Sequence, residues 1–259
     1  MKIAIQFTAL TFIIPIVTWV ISALFGLFGF TVANAPWLYI FTALCAISPT
    51  IASYIVLKRN NRVIGFAEWL KNVFAFKSSL RFYMLVIMLI AVYYVPQVFV
   101  LGSGDLRPFY IFFASLPVVL FSGGIEEAGW SYVLRPELDK KYGFIISSLI
   151  AGIIWAAWHI LLFSPQERII FSEWYGLFTI SCIGLSFALG AIIKITKNVW
   201  LCVLFRTISS AVENTRFGYS DSLFLYVLSA SILIVVSIAA VLIYERNVRQ
   251  PNIDGGDAQ

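Results

Sequence analysis

The sequence has little of what metal-binding or disulfide-rich proteins need. It contains one histidine and three cysteines, and only 12% of its residues are charged. One histidine and no cluster of cysteines leave too few ligands for a zinc site, and no His-Glu-x-x-His motif is present. The cysteines, Cys45, Cys182 and Cys202, lie in separate apolar segments, which argues against a disulfide framework. We therefore expect neither a bound metal ion nor another cofactor.

Apolar residues are abundant instead. They make up 61% of the 259 residues, and the mean hydropathy is +0.91. A soluble domain of this length needs a more polar exterior, so we predict an all-α, polytopic membrane bundle. A single transmembrane domain is expected over residues 1–249, and the short polar tail 250–259 is expected to be disordered.

The apolar stretches predict about eight transmembrane helices, because each approaches the length needed to cross a bilayer. The predicted ranges are 7–28, 37–57, 82–101, 115–135, 144–163, 174–193, 199–212 and 223–244. The fourth helix is expected to bend at 122–124, which is Ser-Gly-Gly. Within 63–80, Phe66, Trp69 and Val73 recur at helical spacing among charged residues, which predicts an amphipathic helix in the membrane interface.

Lysine and arginine residues are distributed unevenly between the predicted loops. With the N-terminus inside, 14 of them are cytoplasmic and three, Arg107, Arg168 and Arg216, are outside, while Arg206 lies within the seventh helix. Basic residues are in excess in cytoplasmic loops, so we predict a multi-pass plasma-membrane protein with both termini in the cytoplasm. The net charge of +5 is then a topology signal and does not indicate a nucleic-acid partner.

Few ionisable residues lie within the predicted helices, and Glu126, Glu127, His159 and Arg206 are the main ones. An ionisable group at membrane depth is costly and by default marks a functional site. A carboxylate and an imidazole that face each other from neighbouring helices make a base that can activate water. We predict that Glu126 and His159 lie within water-bridging distance. The alternative is that the glutamates form ion pairs with Arg206 or Arg135 that only lock the bundle.

Three motifs in successive apolar segments resemble a known family. Glu-Glu-Ala-Gly-Trp at 126–130, followed by Leu-Arg-Pro-Glu-Leu at 134–138, is similar to the first signature of the CAAX prenyl protease and bacteriocin-processing (CPBP) family. The segment 152–159, which ends in Trp-His, is similar to the second signature, Phe-x-x-x-His, with Trp155 at the aromatic position. The segment 198–210 resembles the third, His-x-x-x-Asn. The resemblance extends over roughly 110–213.

The resemblance implies an intramembrane glutamic-type endopeptidase that needs no metal and acts on a membrane-associated peptide or protein. Carried over by position, Glu126 and His159 would hold the attacking water, and Glu127 would orient or support them. The third-signature histidine and asparagine, which stabilise the oxyanion in the family, are Arg206 and Ser210 in this sequence. Both side chains can donate hydrogen bonds to an oxyanion, although an arginine cannot shuttle a proton.

The first signature also departs from the family pattern, because Ser131 stands where the family has an arginine. Arg135 follows four residues later, on the same helical face, and could reach back one turn. We also expect Arg206 to form an ion pair with Glu126 or Glu127, since an unpaired guanidinium within a membrane is costly.

Two other functions stay open at this stage. One is a catalytically silent relative that keeps the fold as a membrane binding or immunity protein. The other is a transporter that uses the Glu/His/Arg cluster as an ion relay. The sequence contains no internal repeat of the kind common in transporters, which weighs against the second.

Overall fold

Long apolar helices make up most of the chain, as its hydropathy predicts. The computed structural model describes residues 1–30, 34–101, 107–162, 165–216 and 222–249. Within these ranges the chain forms helices, turns and loops and no strand, which confirms the all-α class. The polar tail 250–259 lies outside the described residues.

The helices run in chain order as follows: α1 (Lys2–Leu27), α2 (Tyr39–Ala46), α3 (Ser48–Arg59), α4 (Phe66–Val73), α5 (Leu80–Leu101), α6 (Tyr110–Ser122), α7 (Glu127–Gly129), α8 (Arg135–His159), α9 (Pro165–Thr196), α10 (Val199–Asn214) and α11 (Leu223–Arg249). A 3₁₀ turn at Gly124–Glu126 joins α6 to α7, and a π-helical turn at Trp130–Leu134 joins α7 to α8. The predicted bend at 122–124 is therefore the end of α6.

Five helical stretches in the described ranges are long and apolar enough to cross a membrane: Lys2–Leu27, Leu80–Val98, Tyr110–Leu162, Tyr175–Thr196 and Leu223–Val248. A sixth is obtained if α2 and α3, which are bent by 52° at their junction, together form one crossing. By the length and composition of these helices, the protein is a multi-pass membrane protein.

The predicted total of eight is not confirmed, for two reasons. The fourth and fifth predicted helices lie in the single stretch Tyr110–Leu162. Gly143, with a φ of 73°, interrupts the helical backbone inside that stretch, close to where the fifth was predicted to begin. The seventh corresponds to α10, whose 16 residues fall short of the roughly 20 that span a bilayer.

The predicted amphipathic helix is present but short. It is α4, which ends at Val73, several residues before the predicted end. Trp69 and Val73 are buried, whereas Phe66 and Leu70 are exposed. The indole N–H of Trp69 donates to Ser53 Oγ in α3 at 2.9 Å. One face of α4 therefore packs on the bundle, and its place in the membrane interface stays a prediction.

Much of the buried core lies in the segment that carries the three motifs. α9 packs between α8 and α11, and α10 packs against α6. Three fully buried tryptophans, Trp130, Trp155 and Trp158, lie in this region. Gly152 brings α8 and α9 close together, because a Cβ atom there would lie 2.9 Å from Ile183 Cα. The motif residues are therefore held by packed helices, which is what a site of fixed geometry needs.

Candidate functional site

The two glutamates lie where the regular helix is interrupted. Glu126 ends the 3₁₀ turn and Glu127 begins α7, and their side chains are 2% and 0% exposed. The π-helical turn at Trp130–Leu134 follows directly. Irregular turns of this kind are frequent at functional sites, because they re-aim side chains that a continuous helix would point elsewhere.

Gly124 sets the position of the glutamate turn against α10. A Cβ atom at Gly124 would overlap Thr207 Oγ1 and would lie 3.2 Å from the carbonyl oxygen of Val203. A side chain at this position would therefore overlap the Thr207 hydroxyl group of α10 and press on the α10 backbone. This contact brings the glutamates of the first motif next to the helix that carries the third.

Glu126 and His159 both bind the same residue, Trp155. The indole N–H of Trp155 donates to Glu126 Oε2 at 3.3 Å. The carbonyl oxygen of Trp155 lies 2.9 Å from His159 Nδ1. A carbonyl oxygen only accepts, so Nδ1 carries the hydrogen and Nε2 keeps its lone pair in the neutral ring. Trp155 thus links the predicted base to the predicted imidazole and fixes the tautomer of the latter.

Aromatic rings surround the imidazole on three sides. His159 makes edge contacts with Trp155, Trp158 and Phe178, at ring-centroid distances of 5.3, 4.9 and 4.8 Å. Its side chain is 8% exposed. These contacts restrict the ring to one orientation, which preorganises Nε2 for a single role.

Arg206 contributes a cation to the same cluster. Its guanidinium lies 4.9 Å from the ring centroid of Trp155, which is a cation–π contact. Its NH1 atom donates to Ser210 Oγ at 2.6 Å, and its Nε has no hydrogen-bond partner among the described residues. The third-motif residues Arg206 and Ser210 are therefore in contact with each other and, through Trp155, with the first and second motifs.

The prediction that Arg206 forms an ion pair with Glu126 or Glu127 is wrong. Among the described residues, Arg206 pairs with Glu213, whose Oε2 lies 3.9 Å from NH1. The hydroxyl group of Tyr94 in α5 donates to the other oxygen of Glu213 at 3.1 Å. Residues seven apart lie two helical turns apart on one face, so Glu213 is placed beside Arg206 by α10 itself. The spacing of seven residues could have predicted the contact between Arg206 and Glu213. No pattern in the sequence indicates the contact of Tyr94 with Glu213.

Glu127 has a separate environment. Ser131 Oγ donates to Glu127 Oε2, and Glu127 Oε1 has no hydrogen-bond partner among the described residues. Arg135 does not reach back to form a hydrogen bond or ion pair with Glu127 within the described ranges. Its NH1 instead donates to the carbonyl oxygen and Oγ of Ser186 in α9, at 2.8 and 2.5 Å. Sequence spacing could not reveal Ser186, which is 51 residues away.

The described residues contain no group of three or more His, Cys, Asp or Glu side chains that could hold a metal ion. The chemistry available from the cluster is that of a buried carboxylate, an imidazole with a free lone pair and a cationic hydrogen-bond donor. Such a set can take a proton from water and stabilise an anion that forms nearby.

One comparison with known proteins finds a family match over the segment that carries these residues. Residues 108–212 match the family model described as "Type II CAAX prenyl endopeptidase Rce1-like". A comparison with curated proteins finds no match. The matched segment contains all five predicted site residues: Glu126, Glu127, His159, Arg206 and Ser210. This match supports the resemblance seen in the sequence: the segment that carries the site is similar to the CAAX prenyl protease and bacteriocin-processing family, which is a family of proteases.

Proposed function

We propose that the protein is an intramembrane endopeptidase that hydrolyses a peptide bond in a membrane-associated peptide or protein. The proposed reaction needs no metal ion, and its attacking water is held by Glu126 and His159. The observation that carries the proposal is the double contact of Trp155, which binds Glu126 through its indole and His159 through its carbonyl group.

The proposed first step is the attack of water on the substrate carbonyl carbon. Glu126 takes one proton from the water while His159 Nε2 accepts a hydrogen bond from the other. The new C–O bond turns the carbonyl oxygen into an oxyanion. General-base assistance of this kind accelerates hydrolysis by about 10²–10⁴-fold.

Arg206 is proposed to stabilise that oxyanion. Ser210 and the Trp155 ring hold the guanidinium in place, and its Nε–H has no partner among the described residues. The tetrahedral intermediate then collapses: the C–N bond breaks, and the proton held by Glu126 passes to the leaving nitrogen. The direct products are an amine and a carboxylic acid, which then releases the second proton of the water to solvent, and Glu126 is regenerated.

The test is cleavage of a peptide library by the purified full-length chain in detergent, with products read by mass spectrometry. The Glu126→Ala and Glu126→Gln variants should cleave about 10²–10⁴-fold more slowly than the wild type. Glu137→Gln is the matched control, because Glu137 lies in the same matched segment but pairs with Lys140 at 2.6 Å, away from the cluster. Equal cleavage by wild type and Glu126→Gln would refute the proposal.

A silent relative is the second candidate, and one observation favours it. Arg206 and Ser210, which replace the family's histidine and asparagine, bind each other. The double variant Arg206→His/Ser210→Asn restores the family pattern. If the wild type cleaves nothing in the library and the double variant cleaves, the protein is a silent relative that acts in binding or immunity.

We further propose that the protein lies in the plasma membrane with both termini in the cytoplasm. The support is the 14-to-three distribution of its basic residues. Reporters fused after Ala35 and after Lys58 should then be on opposite sides of the membrane. The same side for both would contradict this topology.

A further inference from the structure

Two residues outside the segment that the family model matches connect α5 to the Glu126 cluster. That segment is 108–212, whereas Tyr94 lies in α5 and Glu213 follows the last matched residue. The hydroxyl group of Tyr94, a residue that is 4% exposed, lies 3.1 Å from Glu213 Oε1 and 3.1 Å from the carbonyl oxygen of Ser209. Both neighbours accept, so Tyr94 shares its one hydrogen between two points that are one helical turn apart on α10.

Glu213 connects Tyr94 to Arg206. Its second oxygen, Oε2, lies 3.9 Å from Arg206 NH1. The same NH1 atom donates to Ser210 Oγ at 2.6 Å. The guanidinium in turn lies 4.9 Å from the ring centroid of Trp155. A continuous series of contacts therefore runs from α5, through α10, to the tryptophan that binds the catalytic candidates.

The helix to which each contact belongs shows what Tyr94 adds. Ser210 and Glu213 are both on α10, the helix that carries Arg206, so by themselves they fix the guanidinium only relative to that helix. The side chain of Glu213 is also 48% exposed, and such a side chain has several rotamers open to it unless another group binds it. Tyr94 is that group, and it belongs to a different helix, α5, which packs against α10. Arg206 is therefore restrained from two helices besides its own, by Trp155 of α8 and by Tyr94 of α5.

The charge of Arg206 gives Glu213 a second importance. A guanidinium cannot lose its proton in a protein, and an unpaired one within a membrane bundle is costly. Within the described ranges, Glu213 is the only carboxylate that forms an ion pair with Arg206. The carboxylate therefore balances the charge of the guanidinium as well as restraining its position.

We propose that Tyr94 and Glu213 are positioning residues for Arg206. Tyr94 holds the Glu213 carboxylate, and the carboxylate holds the guanidinium beside the place where the oxyanion forms. The inference rests on the proposed peptidase function, because the oxyanion belongs to that reaction. A preorganised donor stabilises a transition state without having to move as the charge develops. Loosening Arg206 should therefore slow the chemical step and leave KM little changed.

The test is a double-mutant cycle on the full-length chain in detergent, with a library peptide that the wild type cleaves. Single-turnover rates are measured with the enzyme in excess, so that the slow Arg206→Gln background stays measurable. Tyr94→Phe should lower the rate by about fivefold, as for loss of one hydrogen bond. Glu213→Gln should lower it by about two- to fivefold, as for an ion pair with a half-exposed partner. In the Arg206→Gln background neither substitution should lower the rate further, because the group that they position is gone.

Tyr93→Phe and Glu245→Gln are the matched controls. Tyr93 precedes Tyr94 and is 3% exposed, but its hydroxyl group bonds Ser181 of α9. Glu245 of α11 pairs with Lys194 at 3.2 Å. Both controls should leave the single-turnover rate unchanged.

The proposal is overturned if Tyr94→Phe and Glu213→Gln lower the rate by the same factor in both backgrounds, which is the result of a purely structural role. It is also overturned if neither variant lowers the rate in the wild-type background. A wild type that cleaves nothing would instead refute the proposed function, and Tm values of the same variants then test whether Glu213 holds Arg206. The double variant Arg206→Gln/Glu213→Gln should have the Tm of Arg206→Gln alone, because the ion pair is already lost. A further fall in Tm would show that Glu213 acts independently of Arg206.

Discussion

Glu126 and Glu127 are neighbours in the chain, and both are buried, yet they belong to two different parts of the molecule. The Glu126 side contains Trp155, His159 and Arg206, which are side chains that can move or stabilise charge. On the Glu127 side, Ser131 donates to the carboxylate, and the next cation, Arg135, is bound to α9. Adjacent residues on a helix point about 100° apart, so one backbone turn supplies both sides.

The difference suggests how a pair of carboxylates can be divided between chemistry and structure. We infer that Glu126 reacts and that Glu127 holds the first motif against the bundle. Substitutions that change one side and leave the other intact test this division directly.

The largest effect is expected at Glu126. Glu126→Gln should lower kcat/KM by about 10²–10⁴-fold, because the amide cannot take a proton from water. Glu127→Gln is the matched variant, and it should cause a smaller loss of kcat but a lower Tm, because it removes the carboxylate that Ser131 binds. Turnover and thermal unfolding are measured on the same preparations. A greater loss of turnover in Glu127→Gln would reverse the division.

The next largest effect is expected at Arg206. Arg206→Gln should lower kcat by about 10²–10³-fold with little change in KM, as for loss of one oxyanion donor. Arg135→Gln removes a guanidinium from the Glu127 side and should lower Tm more than kcat. Separate measurement of kcat and KM distinguishes the two arginines. If Arg206→Gln leaves kcat unchanged in an active enzyme, Arg206 is not part of the site.

Gly124→Ala should destabilise the protein by about 1–3 kcal/mol, because the new Cβ would overlap Thr207 Oγ1. Gly123→Ala is the control, since a Cβ there would lie 3.4 Å from its closest neighbour, in ordinary contact. Thr207→Ala should recover part of the loss in the double variant. The measurement is denaturant unfolding in mixed micelles, and equal destabilisation by both alanines would contradict the close approach of Gly124 to α10.

The smallest effect is expected at Trp155. Trp155→Phe keeps the ring but removes the N–H that binds Glu126, and the backbone carbonyl that binds His159 is unaffected. We expect a fall in kcat of about fivefold, which corresponds to the net value of about 1 kcal/mol for one hydrogen bond. Trp158→Phe serves as the comparison, because its N–H donates to Ser48 on α3, away from the carboxylate.

Hydropathy and spacing were sufficient for much of this molecule. They predicted the all-α class, the apolar helices α1, α5 and α11, and the break after Ser122. Together with the family resemblance, they also placed the five site residues in the segment that the family model matches. These features depend on local amino-acid composition and spacing, which can be read directly from the sequence.

Features that depend on how helices rotate against one another could not be predicted in the same way. The contact of Trp155 with Glu126 joins α8 to the turn before α7, and the contact of Arg135 with Ser186 joins α8 to α9. Neither has a signal in local spacing. The count of eight crossings failed for a related reason: helix lengths, such as the 16 residues of α10, depend on where packing ends a helix.

The indole of Trp155 also gives the protein a reporter that needs no substrate. The chain contains eight tryptophans, so a two-dimensional proton–nitrogen NMR spectrum would contain at most eight signals from indole N–H groups. The Trp155 signal would be assigned by its loss in Trp155→Phe. Because this N–H binds Glu126 and its ring lies under Arg206, any ligand that displaces either side chain would move that one resonance. Peptides and inhibitors could then be ranked by chemical shift before a cleavable sequence is known.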